Sequence, residues 1–136
     1  MEKERFVVAI VDDAPFMRGL VKNIVMIQLK ASNIQDFKIV CAGSLAEYEE
    51  LIRTESVNLA FVDMILPEGP TAGLTLLKKI RELHPSCEIV IISSIADRKT
   101  KESCAKFGCT EFIEKPFDNA RISAAIERAL KTSKVA

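Results

Sequence analysis

The chain has 136 residues, 49% hydrophobic and 28% charged, with five Gly and five Pro, which excludes intrinsic disorder, collagen-like repeats and low-complexity linkers. At this length one compact domain is expected over 1–136, structured from about 5 to 131, burying roughly 68% of the surface exposed by the unfolded chain. Nineteen basic side chains balance nineteen acidic ones, so there is no global positive field to hold a nucleic acid or an anionic membrane surface.

In chain order, the Val/Ile/Phe-rich run Arg5 to Val11 reads as a strand, and a helix follows from about Ala14 to Lys30. Pro15 lies in its first turn, where a missing N–H costs little, and its buried stripe is expected to be Phe16, Leu20, Ile24 and Ile27. A second strand covers Phe37 to Cys41. Ser44 and Glu47 then have the spacing of a capping box, opening a helix that buries Leu45, Tyr48, Leu51 and Ile52. After a third strand, Val57 to Val62, comes a helix with Leu74, Leu77, Ile80 and Leu83 on its apolar face, ended by His84-Pro85 because the residue before proline avoids helical geometry. A fourth strand, Glu88 to Ile92, precedes a helix over Asp97 to Phe107 with Gly108 as its C-terminal glycine. Only Cys104, Ala105 and Phe107 line its apolar face, so it is expected to be the least firmly anchored. Glu111 to Ile113 form the last strand, and the fifth helix buries Ile122, Ile126, Ala129 and Leu130. This alternation predicts an α/β fold: a (βα)5, flavodoxin-like three-layer sandwich around a parallel five-stranded sheet of order 2-1-3-4-5.

No stretch approaches the roughly 18 apolar residues of a membrane span, and the start Met1-Glu2-Lys3-Glu4-Arg5 lacks the apolar segment of a secretory signal, so a cytoplasmic protein is expected. Cys41, Cys87, Cys104 and Cys109 contain no CxxC pair and His84 is the single histidine, which argues against a tetrahedral zinc site. Cys41 and Cys87, in or beside apolar runs, are expected to be reduced buried thiols, while exposure would open Cys104 and Cys109 to oxidation.

In open parallel sheets ligands bind beyond the carboxyl ends of the strands, where strand order reverses. Strand one ends in Asp12-Asp13, strand three in Asp63, strand four in Ser93-Ser94 and strand five in Lys115-Pro116; strand two ends in Cys41-Ala42-Gly43 without a reactive side chain. Three carboxylates in one crevice demand a counter-charge, and oxygen-only ligands suit Mg²⁺. With Lys115 adding positive charge and Ser93 a hydroxyl, the pocket suits a phosphoryl group on one carboxylate, Asp63 being the natural nucleophile. Each feature also has an ordinary explanation. Asp12-Asp13 can serve the following helix N-terminus, Asp63 with Pro67 and Gly69 can be turn chemistry, Ser93 can be polar strand termination, and Lys115 a solvated lysine. Complementary groups at four of five strand ends favour the joint functional reading.

These residues resemble the receiver domain of bacterial two-component response regulators, a CheY-like superfamily. The likeness is carried by Val11-Asp12-Asp13-Ala14-Pro15, Phe61-Val62-Asp63-Met64-Ile65-Leu66-Pro67, Ile91-Ile92-Ser93-Ser94 and Phe112-Ile113-Glu114-Lys115-Pro116-Phe117. The resemblance implies a signalling phosphoacceptor that assists only its own phosphorylation and dephosphorylation. Asp63 would receive a phosphoryl group from the phosphohistidine of a histidine kinase or histidine phosphotransfer protein. It implies Mg²⁺ bound by Asp13, Asp63 and the backbone carbonyl of Ile65, with Asp12 acting through water. It implies Lys115 on the phosphoryl oxygens with a cis bond to Pro116, Ser93 as the switch hydroxyl, and Phe112 as the aromatic that rotates inward after it. Phosphorylation would bias a two-state surface of helix four, strand five and helix five; Arg98, Lys99, Lys101 and Lys106 fit a partner-facing element there, or a solvated face.

The segment Pro67-Glu68-Gly69-Pro70-Thr71-Ala72-Gly73 is about two residues longer than the commonest loop of such domains. Ser94 stands where alanine or glycine is more frequent, and Ile65 and Ile95 are apolar where many members carry polar groups. The two isoleucines should hinder water and prolong an aspartyl phosphate. Two other readings are a phosphorylation-independent interaction module on the same fold and a Mg²⁺-dependent phosphatase of the haloacid dehalogenase type. The latter's second Asp, two residues after the nucleophile, is Ile65 here. No glycine-rich nucleotide loop is present. No DNA-binding helix-turn-helix follows helix five before Ala136, so the output is expected in a downstream protein or in an output domain absent from this chain, with phosphorylation-driven homodimer formation a further expectation.

Overall fold

The computed structural model describes residues 5–133, so the extreme amino terminus and the end of the polar tail from Lys131 to Ala136 lie outside the described residues. Five strands alternate with five helices: β1 (Phe6–Val11), α1 (Pro15–Ala31), β2 (Phe37–Ala42), α2 (Leu45–Leu51), β3 (Leu59–Asp63), α3 (Ala72–Leu83), β4 (Glu88–Ser93), α4 (Arg98–Lys106), β5 (Glu111–Glu114) and α5 (Asn119–Thr132). The sheet has the expected order β2-β1-β3-β4-β5, and every pairing is parallel, with Val11 opposite both Ala42 and Val62 and Ser93 opposite Glu114.

The continuous apolar runs of the inner strands follow from burial on both faces. Val7, Ala9 and Val11 of β1 point into one core with Ala60, Val62, Ile89 and Ile91, covered by Tyr48 of α2, Leu76, Leu77 and Ile80 of α3 and Cys104 of α4. Phe6, Val8 and Ile10 point into the other, covered by Val21, Val25 and Leu29 of α1 and Ile122, Ile126 and Ala129 of α5. Side chains of a strand alternate in direction, so a single six-residue strand serves both layers. Among the described residues no helix is long and apolar enough to cross a membrane.

Two helix faces depart from the expected stripes. Phe16 and Ile27 of α1 are 81% and 70% exposed, whereas Val21, Ile24, Val25 and Leu29 are buried. The true face is rotated by about 100°, one residue's turn, because Val21, Val25 and Leu29 form a second apolar row that the expected stripe left out. In α3, Leu76 is buried and Leu83 is 57% exposed; Leu83 occupies the final helical position, where the sheet no longer covers it. The α5 face is as expected, and so is that of α2, where Tyr48 and Ile52 are buried and Leu45 and Leu51 pack against the same core. Ser44 Oγ accepts from Glu47 N at 3.1 Å, and the Glu47 carboxylate returns to Gly43 N at 2.6 Å, one residue before the position a capping box would use.

Cys104 is the one buried side chain within α4, consistent with the thin apolar face read from its sequence; Ala105 is exposed. The helix ends as the glycine signal requires. Gly108 has φ +97°, its N–H reaches Ala105 O at 3.2 Å, and Cys109 N reaches Cys104 O at 3.0 Å, the paired bonds of a Schellman turn. The Arg81 guanidinium seals this end by donating to the carbonyls of Pro85, Cys87 and Gly108 at 2.7, 2.7 and 2.5 Å. The expectation for the cysteines is reversed at two positions. Cys41 is exposed, because it faces outward on the edge strand β2, and Cys104 is buried, because α4 turns it into the core; Cys87 is buried as expected and Cys109 is half-buried.

Gly73 sets how closely α3 approaches β3. A Cβ there would lie 2.4 Å from Asp63 O and 2.5 Å from Met64 Cα, both main-chain atoms, while one at Gly19 in α1 would meet nothing within 4 Å. Gly73→Ala is therefore expected to cost about 2 kcal/mol by overpacking, and Gly19→Ala to stabilise by about 0.5–1 kcal/mol through helix propensity. Urea unfolding of the two variants checks this; a neutral Gly73→Ala would mean that the α3 start shifts freely.

Candidate functional site

Each strand of the sheet delivers its last residues to the same edge, and four of the five loops there carry the polar groups expected from the sequence. Asp12 follows β1 directly. Its N–H continues the β1–β2 ladder by donating to Ala42 O at 3.0 Å, and its Oδ1 accepts from Ala14 N at 2.9 Å. Asp12 therefore does serve the entry to α1, as its ordinary explanation holds, but only with one oxygen; Oδ2 faces the crevice. Arg18 Nη1 donates to the Asp12 carbonyl at 2.7 Å, a contact the sequence reading did not anticipate. Asp13 is exposed beside it.

Asp63 closes β3 and is buried. Its Oδ1 accepts from Ile65 N at 3.3 Å, a local turn, and its Oδ2 accepts from Lys115 Nζ at 3.0 Å. The same ammonium reaches Asp12 Oδ2 at 3.1 Å. Residues 103 and 52 positions apart in the chain thus share one proton-rich centre, so Lys115 is not a solvated surface lysine. One carboxylate oxygen from each of Asp12, Asp13 and Asp63 lies within 4.8 Å of the others.

Burial pushes the Asp63 carboxyl above its ordinary value, and Asp12 pushes it the same way against the opposing pull of Lys115. Burial alone would lower the Lys115 ammonium, but bonds to Asp63 and the charges of Asp63 and Asp12 outweigh it and raise it overall. Lys115 therefore stays charged and pairs directly with Asp12 and Asp63, while Asp13 brings a third carboxylate to the same cluster. A group of hard oxygen donors with excess negative charge fits a small divalent cation.

Ser93 ends β4 fully buried, and its Oγ accepts from Ile95 N at 3.1 Å rather than bonding to Asp63 or Lys115. Its carbonyl accepts from Lys115 N at 2.8 Å, which aligns the end of β5 with that of β4. The Lys115–Pro116 bond is cis. Phe112 of β5 is half-buried against the α2–α4 side of the sheet, with Lys101 Nζ 5.9 Å from its ring centre. Ile65 and Ile95 are exposed, at 36% and 42%, following Asp63 and Ser93 by two residues each. Gly73 and Glu68 were named in the sequence only as parts of a long loop. The structure gives them specific work: Gly73 N holds Met64 O at 2.8 Å, and Glu68 reaches the start of α2 at Leu45 N, 3.0 Å away.

Known proteins share the sequence pattern and the fold of this chain. Residues 8–127 fit the sequence model of the response regulator receiver domain. The nitrogen assimilation regulatory protein NtrX of Azorhizobium caulinodans is 36% identical over 126 residues, covering 92% of this chain but only 26% of that protein. The chemotaxis protein CheY of Listeria monocytogenes is 32% identical over 127 residues, covering 90% of this chain and 96% of that protein. Among solved structures, the receiver domain of NtrX from Brucella abortus has a TM-score of 0.76 at 32% identity, with 93% of this chain and 99% of that one covered. A response regulator from Thermotoga maritima, at 23% identity, shares the fold with a TM-score of 0.77 over 94% of this chain and 99% of that one. A family match across 8–127 and relatives at 32% and 36% identity carry the conclusion: the chain belongs to the response regulator receiver domain family, the CheY-like signalling domains of two-component systems.

Proposed function

We propose that this protein is the phosphoacceptor of a two-component pathway, taking a phosphoryl group on Asp63 in a Mg²⁺-dependent reaction. The observation that supports this most is the convergence of Asp12, Asp13 and Asp63 within 4.8 Å, with the Lys115 ammonium 3.0 Å from Asp63 Oδ2. The donor would be the phosphohistidine of a histidine kinase or histidine phosphotransfer protein. An Asp63 oxygen attacks phosphorus in line; the O–P bond forms as the N–P bond breaks, its electron pair remaining on the donor imidazole. Lys115 neutralises charge on the phosphoryl oxygens from the β5 side. Asp13, Asp63 and the Ile65 carbonyl would hold Mg²⁺ directly and Asp12 through water; the ion, when bound, offsets the negative charge shared by carboxylates and phosphoryl group.

Ser93 is the switch hydroxyl in this reading: it would leave Ile95 N for the phosphoryl group, and Phe112 would rotate inward behind it. The α4–β5–α5 face would then change and govern a downstream protein or an output domain outside this chain, with homodimer formation as one form of output. The protein would act in the cytoplasm as a signalling domain rather than as an enzyme. Phosphotransfer profiling against histidine kinases tests the chemistry and identifies the upstream partner together.

Three outcomes follow. Asp63→Asn is expected to abolish labelling by acetyl phosphate; label retained in that variant would place the acceptor elsewhere. In Mg²⁺-free buffer the raised Asp63 carboxyl keeps a proton that the unfolded chain releases near its ordinary value of 3.8. Stability should therefore fall as pH climbs from there through the raised value. Mg²⁺ should recover that loss in the native protein and not in Asp63→Asn. Thermal unfolding against pH with and without Mg²⁺ checks this, and identical profiles would contradict it. Finally, Ile65 and Ile95 neither orient nor admit an attacking water, so phosphate loss should be slow, and Ile65→Asn with Ile95→Glu should speed it roughly tenfold or more. Equal or faster loss from the native protein would end that idea.

A further inference from the structure

Strand two brings no reactive side chain to the edge, but the loop after it serves as an anchor. Glu68 stands five residues beyond Asp63 in the β3–α3 loop, and its carboxylate crosses to α2. One oxygen accepts from Leu45 N at 3.0 Å and the other from Ala46 N at 3.2 Å. These are first-turn N–H groups with no partner inside the helix. A carboxylate there gains two charge-assisted hydrogen bonds at the positive end of the helix dipole. The bond from Leu45, above all, holds the Glu68 carboxyl below its ordinary value.

The other hydrogen bonds of the loop keep within β3, β4 and α3. Leu66 and Gly69 exchange backbone bonds at 3.2 and 2.9 Å, Met64 N reaches Ile92 O at 3.4 Å, and Gly73 N reaches Met64 O at 2.8 Å. Among the described residues, Glu68 is the one side chain of residues 64–71 that hydrogen-bonds to another element. Ile65 lies three residues before it; its N–H is taken by Asp63 Oδ1, and its carbonyl accepts no hydrogen bond among the described residues. The neighbouring loops join the same lattice. Arg18 binds the Asp12 carbonyl at 2.7 Å, Glu47 binds Gly43 N at 2.6 Å, and a Cβ on Gly43 would lie 3.0 Å from Arg18 Nη1.

We propose that Glu68 is a positioning residue for the chemistry at Asp63: by clasping the start of α2 it fixes in advance the loop that offers the Ile65 carbonyl to a divalent cation. The inference rests on the phosphoacceptor reading. Without the clasp, the ordering entropy of residues 65–69 must be met when the ion binds, which weakens binding without removing a ligand.

The test is Mg²⁺ titration of the full 136-residue chain, native, Glu68→Ala, Glu68→Gln and Ser44→Ala, followed by backbone amide NMR shifts. Ser44→Ala removes another cap of α2, the 3.1 Å bond to Glu47 N, without touching the β3–α3 loop, so it reports helix stability alone. Glu68→Ala is expected to weaken Mg²⁺ by about fivefold, Glu68→Gln by less because its amide oxygen keeps an acceptor, and Ser44→Ala by under about twofold. Equal affinity of native and Glu68→Ala protein overturns the proposal, as does equal weakening by Ser44→Ala, which would trace the effect to helix stability. A native protein that ignores Mg²⁺ altogether defeats the phosphoacceptor reading and the proposal with it.

Discussion

Asp12 and Asp63 both lean on the ammonium of Lys115, at 3.1 and 3.0 Å, in a crevice where both acids are buried. Like charges in so dry a place repel, and an unconstrained chain would part them or take up protons. The sheet prevents parting. Val11 and Val62 are opposite one another in the β1–β3 ladder, so the residues that follow emerge side by side, and Lys115 is set by its backbone bond to Ser93. Backbone hydrogen bonds several residues deep in two cores thus hold the acids in place. What electrostatics leaves unsettled there an added cation can settle, and under the proposed function a phosphoryl group would be received at the same edge.

Making that edge rigid requires an interior that does not yield. β1 gives alternate side chains to both cores, and the small residues Ala9 and Ala60 lie beside one another on the α2–α4 side. Gly73 adds a main-chain contact between α3 and the end of β3 that any side chain would obstruct. The helices differ in how they meet this interior. α5 buries five residues and α4 one, so α4 is held chiefly by its carboxyl end, where Arg81 and the Gly108 turn close on it.

The sheet order and all ten elements were legible in the sequence because two-sided burial writes strands as unbroken apolar runs, with helical spacing between. The site was legible for a related reason: in a parallel sheet the residue after each run lands on one edge, so Asp12, Asp13, Asp63, Ser93 and Lys115 could be gathered without knowing a single distance. Helix rotation was harder. α1 carries two apolar rows, and only packing decides that Val21 and Val25 go inward while Phe16 and Ile27 stay out. Glu68, Arg18 and Arg81 were silent because each binds main-chain atoms, which every residue possesses and no sequence pattern marks. Their partners are fixed by which loops the fold brings face to face.

Cys41 offers a practical opening. Of the four thiols it is the exposed one, and it precedes Ala42, whose carbonyl receives the Asp12 N–H. A maleimide dye or spin label attached under mild conditions should therefore select this cysteine in the native chain, next to a backbone bond of the acid cluster. Spectroscopy of events at that edge can begin without engineering a reporter into the molecule.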